Sequence, residues 1–182
     1  MNIIQQKDAE LSQPQKEQIE EFIIKCFGPG IEEKRRDWYF SPTHVHLMLY
    51  ENDELVAYTR TIIRETTYAD EPLKIGGIGD VCVHPSQRGK GVGTEMARQA
   101  MEILKAEGCD IALLQTDCSQ RGKLYSRVGF TQLHKSYTFH DIDDVLRKTD
   151  ADDVMVAPVM NEKKVKQLFD STQILHVGKG DW

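Results

Sequence analysis

Between an apolar, strand-like run and a long amphipathic one, the chain carries Gln87-Arg88-Gly89-Lys90-Gly91-Val92-Gly93. Glycines at every second position let the backbone bend tightly and expose successive N–H groups beside a helix N-terminus, whose dipole adds partial positive charge. Such a turn cradles an anion, and a diphosphate suits it; Arg88 and Lys90 add charge-assisted contacts. Upstream, Ile75 to His84 reads as a strand despite Gly76, Gly77 and Gly79, which mark a bulge or a close approach, and Pro85 ends it. Downstream, Val92, Met96, Ala97, Ala100, Met101, Ile103 and Leu104 recur at helical spacing until Gly108. Ile111-Ala112-Leu113-Leu114 follows as a short buried strand. Strand, helix and strand in this order make a right-handed βαβ unit with parallel strands.

The turn lacks the GK[ST] of a nucleotide triphosphatase, and its GxGxG spacing in mid-chain is not a dinucleotide fingerprint, so both classes are disfavoured. With 182 residues, 40% of them hydrophobic and 29% charged, the chain is expected to form a single domain over 1–182. Acidic side chains outnumber basic ones 29 to 23, for a net charge of -6. That balance repels a phosphate backbone and favours cationic partners, so no nucleic acid partner is expected. No apolar run approaches the ~18 residues of a membrane span, and the N-terminus has no secretory layout; no membrane partner and a cytoplasmic location are expected. Cys26, Cys82, Cys109 and Cys118 are scattered and read as free thiols. His44 and His46 share a strand face without a third ligand at motif spacing, so no metal is expected.

Elsewhere, Ser12 and Pro14 open an amphipathic helix that stops near Gly28. Val45, Leu47 and Leu49 alternate on a strand that turns at Glu51-Asn52-Asp53-Glu54 into a second strand, Leu55 to about Thr66, as an antiparallel hairpin. A loop is expected at 68–72, a short helix around Lys123 to Val128, and one strand from Phe130 to Phe139. Val154 to Val159 is expected as another strand, at an edge because of Pro158. Asp141–Asp144 and Asp150–Asp153 read as acidic loops, and Gly178 to Trp182 as a tail that is flexible unless something holds it.

Val81-Cys82-Val83-His84-Pro85 followed by Arg88-Gly89-Lys90-Gly91-Val92-Gly93 resembles the acetyl-CoA motif of the GNAT N-acetyltransferases, and Leu124-Tyr125-Ser126-Arg127-Val128-Gly129-Phe130 resembles that family's closing helix. The two matches span about Ile75 to Leu133. The resemblance implies an α+β fold, a bent mixed sheet of about six or seven strands flanked by about four helices. It further implies that the fourth and fifth strands splay and that the pantetheine of acetyl-CoA lies in the gap. Main-chain groups of Val81, Cys82 and Val83 would pair with the pantetheine, while Arg88, Gly89, Lys90, Gly91, Val92, Gly93 and Thr94 would hold the diphosphate.

Acetyl transfer to an amine needs a neutral nitrogen, a polarised thioester carbonyl and a proton for the departing thiolate. Tyr125 matches the family's helix tyrosine and is the candidate acid. Alternation puts Ile78, Asp80, Cys82 and His84 on one face of the central strand, and the resemblance implies Asp80 as the candidate base, since it falls where many members of that family carry a carboxylate that accepts the amine's proton. The amide N–H of Cys82 or Val81 is the expected oxyanion donor. A covalent route through Cys118, with His84 as base, is the weaker option.

A cationic amine is gathered by negative groups, and Asp37, Asp80, the Asp150-Asp152-Asp153 loop and Asp181 stand where a rim is expected. Asp37-Trp38, the acidic loop before Val154 and the terminal Gly-Asp-Trp resemble aminoglycoside 2'-N-acetyltransferases. That resemblance implies acceptor binding by Asp37, Asp80, Asp152, Asp181 and Trp182. Gly79 stands where that family carries an acidic residue, and on a regular strand Asp80 faces the other way. The expected activity is acetyl transfer from acetyl-CoA to a small cationic amine, aminoglycoside or amino-sugar-like. Acetylation of a protein or peptide amine and a non-catalytic CoA-binding domain are the alternatives, and the sequence leaves a homodimer open.

Overall fold

Asn52 and Asp53, both with left-handed backbone (φ 49° and 64°), fold β2 (Val45–Glu51) back onto β3 (Glu54–Tyr68), and Ala69 and Asp70 (φ 51° and 62°) repeat the turn into β4 (Glu71–Val83). Paired left-handed residues suit a tight hairpin because their twist matches that of the strands. The loop expected at 68–72 is therefore a two-residue turn, with Pro72 already paired opposite Thr67. The computed structural model describes residues 1–28, 30, 31, 33 and 41–181.

Among the described residues the chain forms four α-helices and a mixed seven-stranded sheet in the order β1-β2-β3-β4-β5-β9-β6, with a second, three-stranded sheet β10-β7-β8. Besides the three strands above, these are β1 (Ile3–Gln6), β5 (Ile111–Gln115), β6 (Thr131–Gln132), β7 (Tyr137–His140), β8 (Leu146–Lys148), β9 (Val154–Pro158) and β10 (Leu175–Lys179). The helices are α1 (Gln13–Phe27), α2 (Val92–Ala106), α3 (Cys118–Ser126) and α4 (Glu162–Asp170). Ser12 caps α1 in a reciprocal box with Gln15, as its spacing dictates.

Strict alternation sorts the sheet's two faces. On β5 and β9, Ile111, Leu113, Val154 and Val156 join Leu168 of α4 and Tyr137, Phe139 and Leu175 of the second sheet, whereas Ala112, Leu114, Met155 and Ala157 join Ala97, Ala100 and Leu104 of α2. A Cβ on Gly76 would stand 2.5 Å from Leu104 Cδ1, so the absence of a side chain there lets α2 lie directly on β4.

β4 and β5 are parallel, as the βαβ reading requires, but pair only through Ile75–Gly77 and Ile111–Leu113. Both continue past the last pair and leave a gap between them. In β4, Asp80 adopts φ 52°, and the two residues Asp80 and Val81 oppose the single Thr59 of β3. This bulge adds one residue and inverts the facing beyond it. The sequence expectation that Ile78, Asp80 and Cys82 share a face therefore fails. Ile78 packs against α2, whereas Cys82 packs against Ile19, Phe22 and Ile23 of α1.

Two further expectations are corrected. Phe130–Phe139 is not one strand, because left-handed His134 (φ 54°) breaks it and sends β6 and β7 to different sheets. β9 is not an edge; it lies between β5 and β6, and Pro158 falls at its last position. The tail, expected to be flexible unless something holds it, is held as far as Asp181: β10 pairs in parallel with β7, and Asp181 is buried.

Candidate active site

Two adjoining cavities occupy the gap between β4 and β5. The larger, about 450 Å³, runs along Val81, Cys82 and Val83, past Gln87–Gly89 and Gly91–Thr94, to α3. Gly91, left-handed at φ 80°, is the N-cap of α2, and Gly89 has φ 76°. Both lie in the region that favours glycine, so the turn aims the first amides of α2 into the cavity. Val81–Val83, Arg88, Gly89, Gly91, Val92, Gly93 and Thr94 thus gather as the sequence anticipates, while Lys90 turns its Nζ to Gln87 Oε1 at 3.3 Å. Arg88 Nε donates to the Val83 carbonyl at 3.1 Å. Arg121 and Lys123 of α3 and Arg127, its C-cap, line the same cavity, so its walls are cationic in a chain of net charge -6. The residues fit a diphosphate-bearing thioester carrier: orphan amides, excess positive charge and an extended slot beside a strand. Sequence reasoning missed Arg121 because it began that helix at Lys123, whereas Asp117 is its N-cap.

The smaller cavity, about 250 Å³, shares Phe27, Val81, Arg121 and Tyr125 with the larger one. Its own walls carry Asp80, Asp117, Asp153 and Asp181. Tyr125 stands at the junction, 7% exposed, its ring edge-on to Phe130 at 6.1 Å. Burial pushes its hydroxyl up to about 12, against smaller opposing effects of Arg121 and a hydrogen bond with Thr116. The proton thus stays on Tyr125 at neutral pH, as a general acid needs.

Asp80 reaches this cavity because of the bulge. Its carboxylate meets Arg60 Nε at 2.7 Å, and Arg60 Nη1 donates to the Ser41 carbonyl at 2.8 Å. Arg60 is the register partner of Gly79, so Asp80 is turned to the side that Gly79 would serve on a regular strand. The expectation that it faces away is thereby corrected. Arg60 itself was missed, although an arginine amid Leu55, Val56, Ala57, Tyr58 and Ile62 of β3 signals a buried partner.

Asp181 is fixed by Tyr137 Oη, which donates to its Oδ1 at 2.6 Å, while its main-chain carbonyl accepts from Arg64 Nη2 at 2.9 Å and Ser41 N at 3.2 Å. Within the acidic loop the structure turns Asp153 into the cavity, not Asp152, whose side chain is 82% exposed beside His134. Burial, then Asp150, Asp117 and Asp152 nearby, push the Asp153 carboxyl above the usual carboxylate range. Asp37 and Trp182 lie outside the described residues.

His84 and Cys118 are not brought together. His84 caps the turn at Pro85–Gln87 and lines a groove with Gln18 and Glu21, whereas Cys118 lines one with Gly122 and Phe130. Burial and the neighbouring Asp153, Asp117 and Asp152 raise the Cys118 thiol, opposite to what a nucleophile needs. His44 meets Glu107 Oε1 at 3.0 Å, and His46 is buried against Tyr58 Oη at 2.9 Å; among the described residues no cluster of three metal-type ligands exists.

The sequence matches the family model of an acetyltransferase (GNAT) domain over residues 10–133. No curated protein matches it. Its fold is similar to that of Escherichia coli ElaA (21% identity, TM-score 0.59, covering 86% of this chain and 98% of that one). It is also similar to the GNAT family N-acetyltransferase YhbS from Escherichia coli in complex with CoA (14%, 0.63, 98% and 88%) and to an acyl-CoA N-acyltransferase from Pseudomonas aeruginosa (18%, 0.58, 86% and 99%). With a family model matched over most of its length and the splayed strands, glycine turn and cationic slot in place, this chain belongs to the GNAT acetyltransferases.

Proposed function

We propose that the protein moves an acetyl group from acetyl-CoA to a primary amine of a small cationic acceptor, aminoglycoside or amino-sugar-like, by direct attack. The observation that carries this reading is the pairing of two adjoining cavities of opposite character. The cationic slot suits the phosphates of acetyl-CoA, and the smaller cavity presents Asp80, Asp117, Asp153 and Asp181. Acetyl-CoA, when bound, supplies the acetyl thioester. Main-chain groups of Val81, Cys82 and Val83 orient the carrier along β4, with the Cys82 or Val81 N–H toward the thioester carbonyl. Tyr125, at the junction, protonates the leaving sulfur. Asp80 takes the ammonium proton directly or through water, held by Arg60, and Asp181 and Asp153 draw the acceptor's remaining positive charges.

Thiol release from acetyl-CoA, followed while aminoglycosides, amino sugars, polyamines and peptide amines are added in turn, tests this. Release is expected to rise with small polycationic amines, with the acetylated amine recovered. Turnover with peptide amines alone points to a protein acetyltransferase. Binding without any amine-dependent release points to a non-catalytic domain.

A further inference from the structure

Cys26, on the last turn of α1, and Cys82, in β4, line the same 450 Å³ cavity, and both pack with Phe22 and Ile23. Cys26 is half-buried and Cys82 is 2% exposed. Cys82 and then the guanidinium of Arg88, both lining that cavity with Cys26, hold the Cys26 thiol below its usual range. The other two thiols behave oppositely: burial pushes Cys109 up to about 11 and raises Cys118 as well. Cys26 is thus a partly accessible sulfur with enhanced thiolate character, and a second thiol lines the same cavity and packs in the same apolar cluster, the arrangement of an attacking and a resolving cysteine.

We infer that Cys26 and Cys82 are a dithiol modification site for hydroperoxides, and that its disulfide shuts acetyl-CoA out of the cavity. The Cys26 thiolate attacks a peroxide oxygen, the O–O bond breaks, and the departing hydroxide leaves as water after taking a proton, giving a sulfenic acid. The Cys82 sulfur then attacks the Cys26 sulfur, the S–S bond forms, the S–O bond breaks, and a second water leaves with the Cys82 proton. Two thiols lose two electrons in total and one hydrogen peroxide becomes two waters. A disulfide needs sulfurs about 2.05 Å apart, closer than two unbonded thiols can approach. The bond therefore draws the end of α1 toward β4. Phe27, the next residue, lines both cavities, so that movement narrows the slot beside Val81–Val83. The gating half of the inference rests on the assignment of this slot to acetyl-CoA.

The full-length protein is treated with hydrogen peroxide, its intact mass and non-reduced peptides are read, and acetyl-CoA affinity is measured by calorimetry before and after. The expected result is a loss of two hydrogen masses, a Cys26–Cys82 linked peptide and an affinity at least tenfold weaker that dithiothreitol restores. Cys26→Ser, treated alike, keeps the affinity it had before treatment. Saturating acetyl-CoA slows the crosslink. Stable oxyacids on Cys26 without a linked peptide overturn the inference, as does a linked peptide with unchanged affinity. An untreated protein that does not bind acetyl-CoA sinks the slot assignment and the gating with it, whereas the linked peptide reports on the thiol pair by itself.

Discussion

Arg60 Nε lies 2.7 Å from Asp80 Oδ2, and the two side chains are only 2% and 5% exposed. The contact exists because one extra residue in β4 turns Asp80 across to the face of its neighbour on β3. Loss of either partner strands a buried charge. Arg60→Met is expected to cost about 3–5 kcal/mol, whereas the double change Arg60→Met with Asp80→Leu costs much less. Thermal unfolding of the variants checks this, and equal losses in the single and double variants contradict it.

Tyr125→Phe removes the proposed proton donor and leaves the slot intact. Its kcat is expected to fall by about 10²–10⁴, with acetyl-CoA affinity changed less than about threefold. Steady-state rates and calorimetry together separate this from a packing role, in which unfolding temperature falls along with the rate.

The same side chain makes an alkaline prediction. Its folded value of about 12 exceeds the unfolded value of 10, so the protonated form is preferred on folding. The stability it contributes is complete below pH 10 and is lost as pH rises toward 12. Denaturant midpoints measured across that window should decline less steeply for Tyr125→Phe than for the parent.

Asp153 stands among carboxylates, and a cationic acceptor relieves that repulsion. Asp153→Asn is expected to raise the acceptor KM about tenfold, the loss of roughly 1.5 kcal/mol from a charge-assisted contact, with the acetyl-CoA KM unchanged. Asp152→Asn, at the exposed neighbour, is the control and is expected to leave both constants alone. A larger effect at Asp152 contradicts the assignment of the cavity wall.

Gly76→Ala drives a Cβ into Leu104, which is fully buried and has no room to yield. A destabilisation of about 1–3 kcal/mol is expected. Combined with Leu104→Ala, the loss should fall short of the two single losses added together, as a double-mutant cycle on denaturation would show.

Local signals carried much of this fold. The Ser12 cap, the alternation of Val45, Leu47 and Leu49, and the helical spacing from Val92 to Leu104 each come from side-chain periodicity, which tertiary contacts then reinforce. The bulge at Asp80 was invisible because it arises from the count of residues on two paired strands, not from one strand's pattern. Pro158 misled in the same way: a proline at a strand's last position leaves the strand free to pair on both sides. β10 and its hold on Asp181 depend on Tyr137 and Arg64, more than forty residues distant in sequence, and nothing local announces them. The slot proposed for acetyl-CoA was legible because the groups proposed to hold it are contiguous in the chain. The proposed acceptor cavity was half legible because its carboxylates come from β4, the ends of β5 and β10, and the acidic loop, which only the fold brings together.

The central claim is that the amides at the start of α2 hold the diphosphate of acetyl-CoA. Calorimetric titration of acetyl-CoA into the wild-type protein and Gly91→Val tests it directly, since a β-branched residue is strained at a φ of 80° and distorts the cradle. Saturable binding of one molecule per chain, weakened at least tenfold by the substitution in a protein that still folds, is the predicted result. No binding to the wild type, or equal affinity in both, contradicts the account.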